Sequence, residues 1–212
     1  MWSALPLPWK VRLEESWAAY CAGTVPIGAV IMDEHGTIMA RGRNQITGGG
    51  DGLVRGHELA HAELNALLAV NLQSDRRVVH QWSLYTIMEP CPLCMGAFYM
   101  SGIRNLHYAA RDAYACSVNL LGTTPYLARK PIRVTHPDEP ALEDIVIGLN
   151  LELMLSTYES LSPLFIQIWR DAVPRGVALG ERLFESKLLS QMRDRGSTIG
   201  EVIERLGELN NG

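Results

Sequence analysis

No run of this 212-residue chain is apolar for long enough to span a bilayer uninterrupted, and the opening "MWSALPLPWK" has no basic segment followed by an apolar one. Both absences argue against a membrane or exported protein, and the expectation is a cytoplasmic one. Cysteine is scarce, limited to Cys21, Cys91, Cys94 and Cys116. Without an export signal, such thiols read as reduced side chains or metal ligands before they read as a disulfide framework. Internal repeats, low-complexity tracts and a clear linker are also missing, so nothing marks an independent second domain. Positive charge is short in the second half: residues 135–212 carry seven Lys/Arg against thirteen Asp/Glu, whereas residues 1–134 carry twelve against ten. A tail of that sign is a poor surface for tracking a phosphate backbone.

What is present suffices for one substantial core, with 47% hydrophobic and 20% charged residues. Trp9, Leu13, Trp17 and Tyr20 recur at helical spacing before Gly23 and Pro26. "VPIGAVIM" and "GTIMARG", joined by "DEHG", have the pattern of a hairpin. A glycine-rich loop, "ITGGGDGLVRG", leads to a helix on which Leu64, Leu67 and Leu68 are expected to form the buried stripe. "WSLYTIM" reads as a strand, "CPLCMGAFYMSG" as a short helix and "IRNLHYAA" as a further strand, so strands alternate with helices in an α/β layer structure. "ALEDIVIGLNLELML" fits a helix by its acidic first turn, although its apolar run would also suit a strand. Three helical segments follow, "SPLFIQIWRDAV", "VALGERLFESKLLSQMR" and "STIGEVIERLGEL", with Thr198 and Glu201 in a capping-box pattern. The division expected is 1–140 for the body and 141–212 for a helical extension packed on it.

The chemistry concentrates in "HAE", His61 to Glu63, and "PCPLC", Pro90 to Cys94. Cys91 and Cys94 lie at i and i+3 where a helix starts, so both sulfurs can converge on one ion, helped by the partial positive charge of the helix N-terminus. A Cys-x-x-Cys pair alone would equally suit a redox dithiol or half of a structural zinc site. In the first turn of their own helix, His61 and Glu63 can both reach a shared cavity. One imidazole and two thiolates point to Zn²⁺, and three protein ligands leave the fourth tetrahedral position open, as in catalytic sites. Glu63 is then the group that moves protons. Cys116, were it a fourth ligand, would close the site and make it structural; Cys21 and Cys116 are expected to be small buried residues.

H-x-E followed by P-C-x-x-C is the pattern of zinc nucleobase deaminases. With "VPIGAVIM", "GRNQ", "LYTIMEPCPLCMGA" and "LHYAARDA", the chain resembles the cytidine-deaminase-like superfamily over roughly residues 5–135, in particular its tRNA adenosine, guanine and cytosine deaminases. The resemblance implies a three-layer α/β/α fold with a mixed central sheet, one zinc per subunit between two helix N-termini, and a homodimer or larger homo-oligomer. It also implies that Asn44 and the backbone N–H of Ala62 contact the base, that Asp112 lies near the pocket rim, and that Glu89 orients the loop beside the metal. The longer segment between Asn44 and His61 and the long tail depart from the compact tRNA enzymes. Three readings follow: a hydrolytic deaminase of a small purine or pyrimidine base, nucleoside or related heterocycle; a tRNA adenosine-to-inosine deaminase; and a structural zinc module with Glu63 idle. The acidic tail disfavours nucleic acid, and Glu63 beside three zinc ligands disfavours the module, so the first is the expectation. The "GGGDG" loop lacks the lysine and spacing of a phosphate-binding loop and reads as a lid or plain surface loop. Phe165, Ile168 and Trp169 read as a packing face.

Overall fold

A computed structural model describes residues 1–47, 50–72, 75–136, 140–158 and 161–211. Gly48 and Gly49 of the glycine-rich loop, and 137–139 of the turn into the tail, lie outside them. The first helix, α1 (Leu7–Cys21), leads to the antiparallel hairpin β1 (Gly28–Met32) and β2 (Ile38–Arg43). Asp33 closes the hairpin turn by accepting the N–H groups of His35 and Thr37. Next come α2 (Ala62–Ala69), the single turn α3 (Arg76–Val79), β3 (Ser83–Met88), α4 (Pro92–Ser101) and β4 (Asn105–Ala110). A further turn, α5 (Pro125–Ala128), precedes the short strand β5 (Arg133–Thr135), which the sequence pattern did not reveal. The sheet order is β2-β1-β3-β4-β5, with β1 antiparallel to both neighbours and β3, β4 and β5 parallel. No helix among the described residues is long and apolar enough to cross a membrane.

Alternation along the strands sends side chains to two helical layers. Ala29, Ile31, Leu84 and Leu106 pack with α2 and α4, whereas Ile87 and Ala109 on the other face pack with α1 and the tail. Two glycines make room for the helices. At Gly42 on β2 an added Cβ would fall 2.2 Å from the Ala62 carbonyl oxygen and 2.4 Å from the Ala66 nitrogen, so α2 rests directly on the strand backbone. That close approach turns Ala62 and Ala66 inward, leaves Leu68 49% exposed and Leu64 half-buried, and corrects the expected leucine stripe. Because α2 carries His61 and Glu63 at its start, Gly42→Ala is expected to displace the site: stability should fall by about 1–3 kcal/mol on chemical denaturation, and zinc retention should fall with it. Wild-type stability and metal content in that variant would refute this account of the glycine.

The tail begins with α6 (Pro140–Thr157), a helix and not a strand, followed by α7 (Pro163–Ala172), α8 (Pro174–Ser186), α9 (Leu188–Asp194) and α10 (Ile199–Asn211). α6 lies between β4 and α8, with Leu142, Ile145, Val146, Ile147, Leu149, Leu151 and Leu153 all buried. It is apolar nearly all round, which is why its sequence also suited a strand. Gly176 and Gly180 let α8 approach: a Cβ at either would stand 2.7 Å and 2.8 Å from the Cβ atoms of Ile147 and Leu151. The segment 177–193, expected as one helix, breaks at Lys187 in the left-handed region (φ 51°). The capping box of α10 is formed: Glu201 accepts the Thr198 N–H at 2.7 Å and the Thr198 hydroxyl accepts the Glu201 N–H at 3.3 Å. Cross-links tie the tail back to the start of the chain, from the Met1 ammonium and Trp2 N–H to Glu204 and from Trp17 Nε1 to the Ser197 carbonyl.

Candidate active site

Two helix starts meet beyond the C-terminal end of β3. His61 is the N-cap of α2 and Cys91 the N-cap of α4, both with extended backbone, and Cys94 lies in the first turn of α4. His61 Nδ1 is 3.5 Å from Cys91 Sγ and 3.4 Å from Cys94 Sγ, and the three donor atoms fall within 4.8 Å of one another. Among the described residues this is the group able to hold a metal, and its one imidazole and two thiols fit zinc. Cys116 is exposed and apart from it, so the set stays at three; Cys21 is exposed too, and the expectation that both are buried is corrected.

The electrostatics favour a cation. The hydrogen bond with Cys94 drives Cys91 down to about 4, against its burial and with help from His61. The same bond, then burial, pushes Cys94 up, and the bond to Cys91 raises His61. A thiolate, a thiol and an imidazole turned toward one another form a donor set that suits a thiophilic cation.

Glu63 lies next to this cluster, 4% exposed. Its Oε1 accepts the Thr86 hydroxyl at 2.8 Å and its Oε2 accepts from Cys94 Sγ at 3.3 Å. Burial pushes its carboxyl up, opposed by its own backbone N–H and by Thr86. Thr86, on β3, was not singled out from the sequence, nor was Arg12 behind it. Arg12 is fully buried, donates Nη1 to the Thr86 carbonyl at 2.9 Å and stacks 3.8 Å from the Trp9 ring centre. The sequence held a signal for Arg12: it falls three residues after Trp9, on the apolar face of α1.

A cavity of about 320 Å³ opens above the cluster, lined by Asn44, Ala62, Glu63, Glu89 and Asp112. Asn44 is buried, and its Oδ1 already accepts the Thr24 hydroxyl and the Ile46 N–H, which leaves its N–H₂ to donate. The Ala62 N–H belongs to the first helical turn and has no acceptor within α2. Asp112 accepts the N–H groups of Tyr114 and Ala115 on Oδ1, both at 2.9 Å, so Oδ2 remains for another donor; burial first, opposed by those bonds, raises its pKa. Glu89 accepts the Val118 N–H at 3.3 Å and so braces the segment after β4, with burial raising its carboxyl. The opposite wall belongs to the tail: Asn150, Leu153, Met154, Phe165 and Trp169. Phe165 and Trp169 pack on the core as expected and also line the pocket. The glycine-rich loop is anchored beside the site by Gln45 to Gly52 and by Asn65 to Val54.

Residues 9–110 match the cytidine and deoxycytidylate deaminase zinc-binding region. The chain is 32% identical over 146 residues to the guanine deaminase of Bacillus subtilis, a match spanning 69% of this chain and 80% of that one. It belongs to this zinc deaminase family. It is also 35% identical over 105 residues to the tRNA-specific adenosine deaminase of Haemophilus influenzae, across 49% of this chain and 56% of that enzyme. A solved structure in complex with 2,6-diaminopurine is similar over 71% of this chain and 82% of its own, with 26% identity and a TM-score of 0.54. The three-layer α/β/α architecture with a mixed sheet is thus the family's, and the family match stops at Ala110, short of the tail wall.

Proposed function

We propose that this zinc deaminase acts on a free purine base of the guanine type. The carrying observation is that one small cavity is lined by an amide donor at Asn44 and a carboxylate acceptor at Asp112, together with Asn150, Leu153 and Trp169 of the tail. Guanine presents carbonyl and ring-nitrogen acceptors together with ring N–H donors, and so suits a lining that offers both a donor and an acceptor. A cavity of about 320 Å³ suits a single base. The guanine deaminase relative and the diaminopurine-bound neighbour support the same class.

In this reading His61, Cys91 and Cys94 hold the metal. Bound zinc supplies the acidity that makes water a nucleophile near neutral pH. Asn44 and the Ala62 N–H hold the ring, and Asp112 takes a hydrogen bond from a ring or amine N–H. As the water oxygen bonds to the ring carbon carrying the amine, Glu63 accepts the water proton and passes it to the leaving nitrogen. The C–N bond then breaks, ammonia departs, and the second water proton ends on the ring nitrogen beside the new carbonyl, so guanine and water give xanthine and ammonia. Thr86 holds one oxygen of Glu63, which keeps the other beside the cluster.

The test is ammonia release by the zinc-loaded protein from guanine, adenine, cytosine, their nucleosides and a tRNA anticodon stem-loop. Guanine should be the best substrate, with KM nearly unchanged between low and moderate salt because no phosphate is bound. Asn44→Ala should keep zinc and lose about ten- to a hundredfold in kcat/KM. Efficient inosine formation in the stem-loop, with no turnover of free bases, would replace this reading by the tRNA one. The resemblance also supports a homodimer or larger oligomer in the cytoplasm; light scattering at the monomer mass would remove the oligomer.

A further inference from the structure

Because β3, β4 and β5 run parallel, their starting ends gather at the side of the sheet away from the zinc cluster, about 15 Å off along the ten residues of α4. There Arg76, His80, Arg104, Arg129, Lys130 and Arg133 line a recess of about 630 Å³ to which no carboxylate among the described residues contributes. We propose that this recess is a second binding site, for a small molecule carrying a phosphate or pyrophosphate group. It is independent of the reading of the deaminase pocket.

Arg76, Arg104, Arg129 and Lys130 have no carboxylate within 4.0 Å among the described residues. Neutral groups position them instead. Arg104 is buried, donates Nη2 to His80 Nε2 at 3.0 Å and donates Nη1 to the Ile103 carbonyl at 3.2 Å. Lys130 donates to the Tyr99 carbonyl and lies 4.3 Å over its ring, while Arg129 lies 4.9 Å over the ring of Tyr126. Arg133 donates Nε to Asn105 Oδ1 at 2.8 Å. Asp75, the acid whose charge reaches His80, is engaged with the Arg77 N–H.

His80, Arg104 and Lys130 are all shifted down by burial first; neighbouring positive charge adds to this at His80 and Lys130, while at Arg104 Tyr99 opposes it and Arg76 adds to it. Concentrating five permanent cations in one recess of a chain with net charge −4 is unfavourable unless an anion shares it. Guanidinium forks are suited to phosphate oxygens, which accept paired hydrogen bonds from them. The cations converge on one hollow and do not form a track, which fits a compact phosphate group and not a nucleic-acid backbone.

The experiment uses the zinc-loaded full chain and follows thermal unfolding and ³¹P line shifts. Inorganic phosphate, pyrophosphate and ADP are added in turn, at ionic strength fixed with sodium chloride. A melting midpoint that rises with the phosphate species and not with chloride supports the site, and the rank of the three probes identifies the source of the group. Arg76 and Arg129 are exposed, so Arg76→Gln with Arg129→Gln should fold normally and weaken probe binding at least about tenfold. The charge-matched control, Arg195→Gln with Arg205→Gln, should bind as wild type. Lys130→Met gives a second test with the same expected loss. No rise beyond the chloride control, or equal binding in the Arg76/Arg129 variant, would overturn the proposal. An RNA oligonucleotide binding through these residues more tightly than any of the three probes would overturn it in favour of a nucleic-acid surface.

Discussion

Glu63→Gln should keep one zinc per chain and near wild-type stability while turnover falls at least about a hundredfold. The amide oxygen can still accept the Thr86 hydroxyl, and the volume in this buried site is unchanged, so the fold has little reason to respond. What is lost is the group able to take a proton from water and return it to the leaving nitrogen. Metal content, melting midpoint and kcat, measured together, separate this from a change at the ligands. His61→Ala and Cys91→Ala should instead release zinc, whereas Cys116→Ala should retain it, since Cys116 is exposed and outside the donor group. Comparable turnover in Glu63→Gln would remove Glu63 as the proton carrier. Zinc loss in Cys116→Ala would point to a closed structural site.

Truncation after residue 140 should give insoluble or molten protein. The core on one face of the sheet is shared: Trp9, Leu13, Trp17, Ile87 and Ala109 from the body pack in one cluster with Leu142, Ile145, Leu149, Trp169, Val177 and Leu183 from the tail. Losing several large buried side chains at about 1.5–3 kcal/mol each matches or exceeds the ~5–15 kcal/mol by which a domain is stable. The cut would also expose β4 to water and remove Asn150, Leu153 and Trp169 from the pocket wall. Solubility, near-ultraviolet circular dichroism and dye binding report the outcome. A soluble truncated form that keeps zinc and turns over guanine with unchanged kinetics would make the tail an accessory and void its role in excluding larger substrates.

The candidate metal donors and Glu63 were legible because their spacing is local: the cysteines stand three positions apart and His61 and Glu63 two, which fixes the geometry once each pair starts a helix. The hairpin, β3, α4 and β4 were legible for the same reason, as were the caps at Ser162-Pro163 and Thr198. Burial was less so. The alanine face of α2 is buried and Leu68 is not, because Gly42, twenty residues earlier, lets the helix settle onto the strand. Arg12 and Thr86 escaped notice since their link to Glu63 joins three separate elements. The tail wall and the basic recess were equally hidden: each gathers side chains from distant segments, and neither leaves a periodic trace. Lys187 gave no sign of the break there, as a lone lysine in the left-handed region has no sequence marker of the kind glycine supplies.

The most direct measurement is the product of guanine incubated with the zinc-loaded chain in H₂¹⁸O. Hydrolysis at this site predicts one ammonia released per guanine consumed and one ¹⁸O in each xanthine formed, both abolished in Glu63→Gln. Guanine recovered unchanged with no ammonia, from protein carrying a full complement of zinc, would contradict the account.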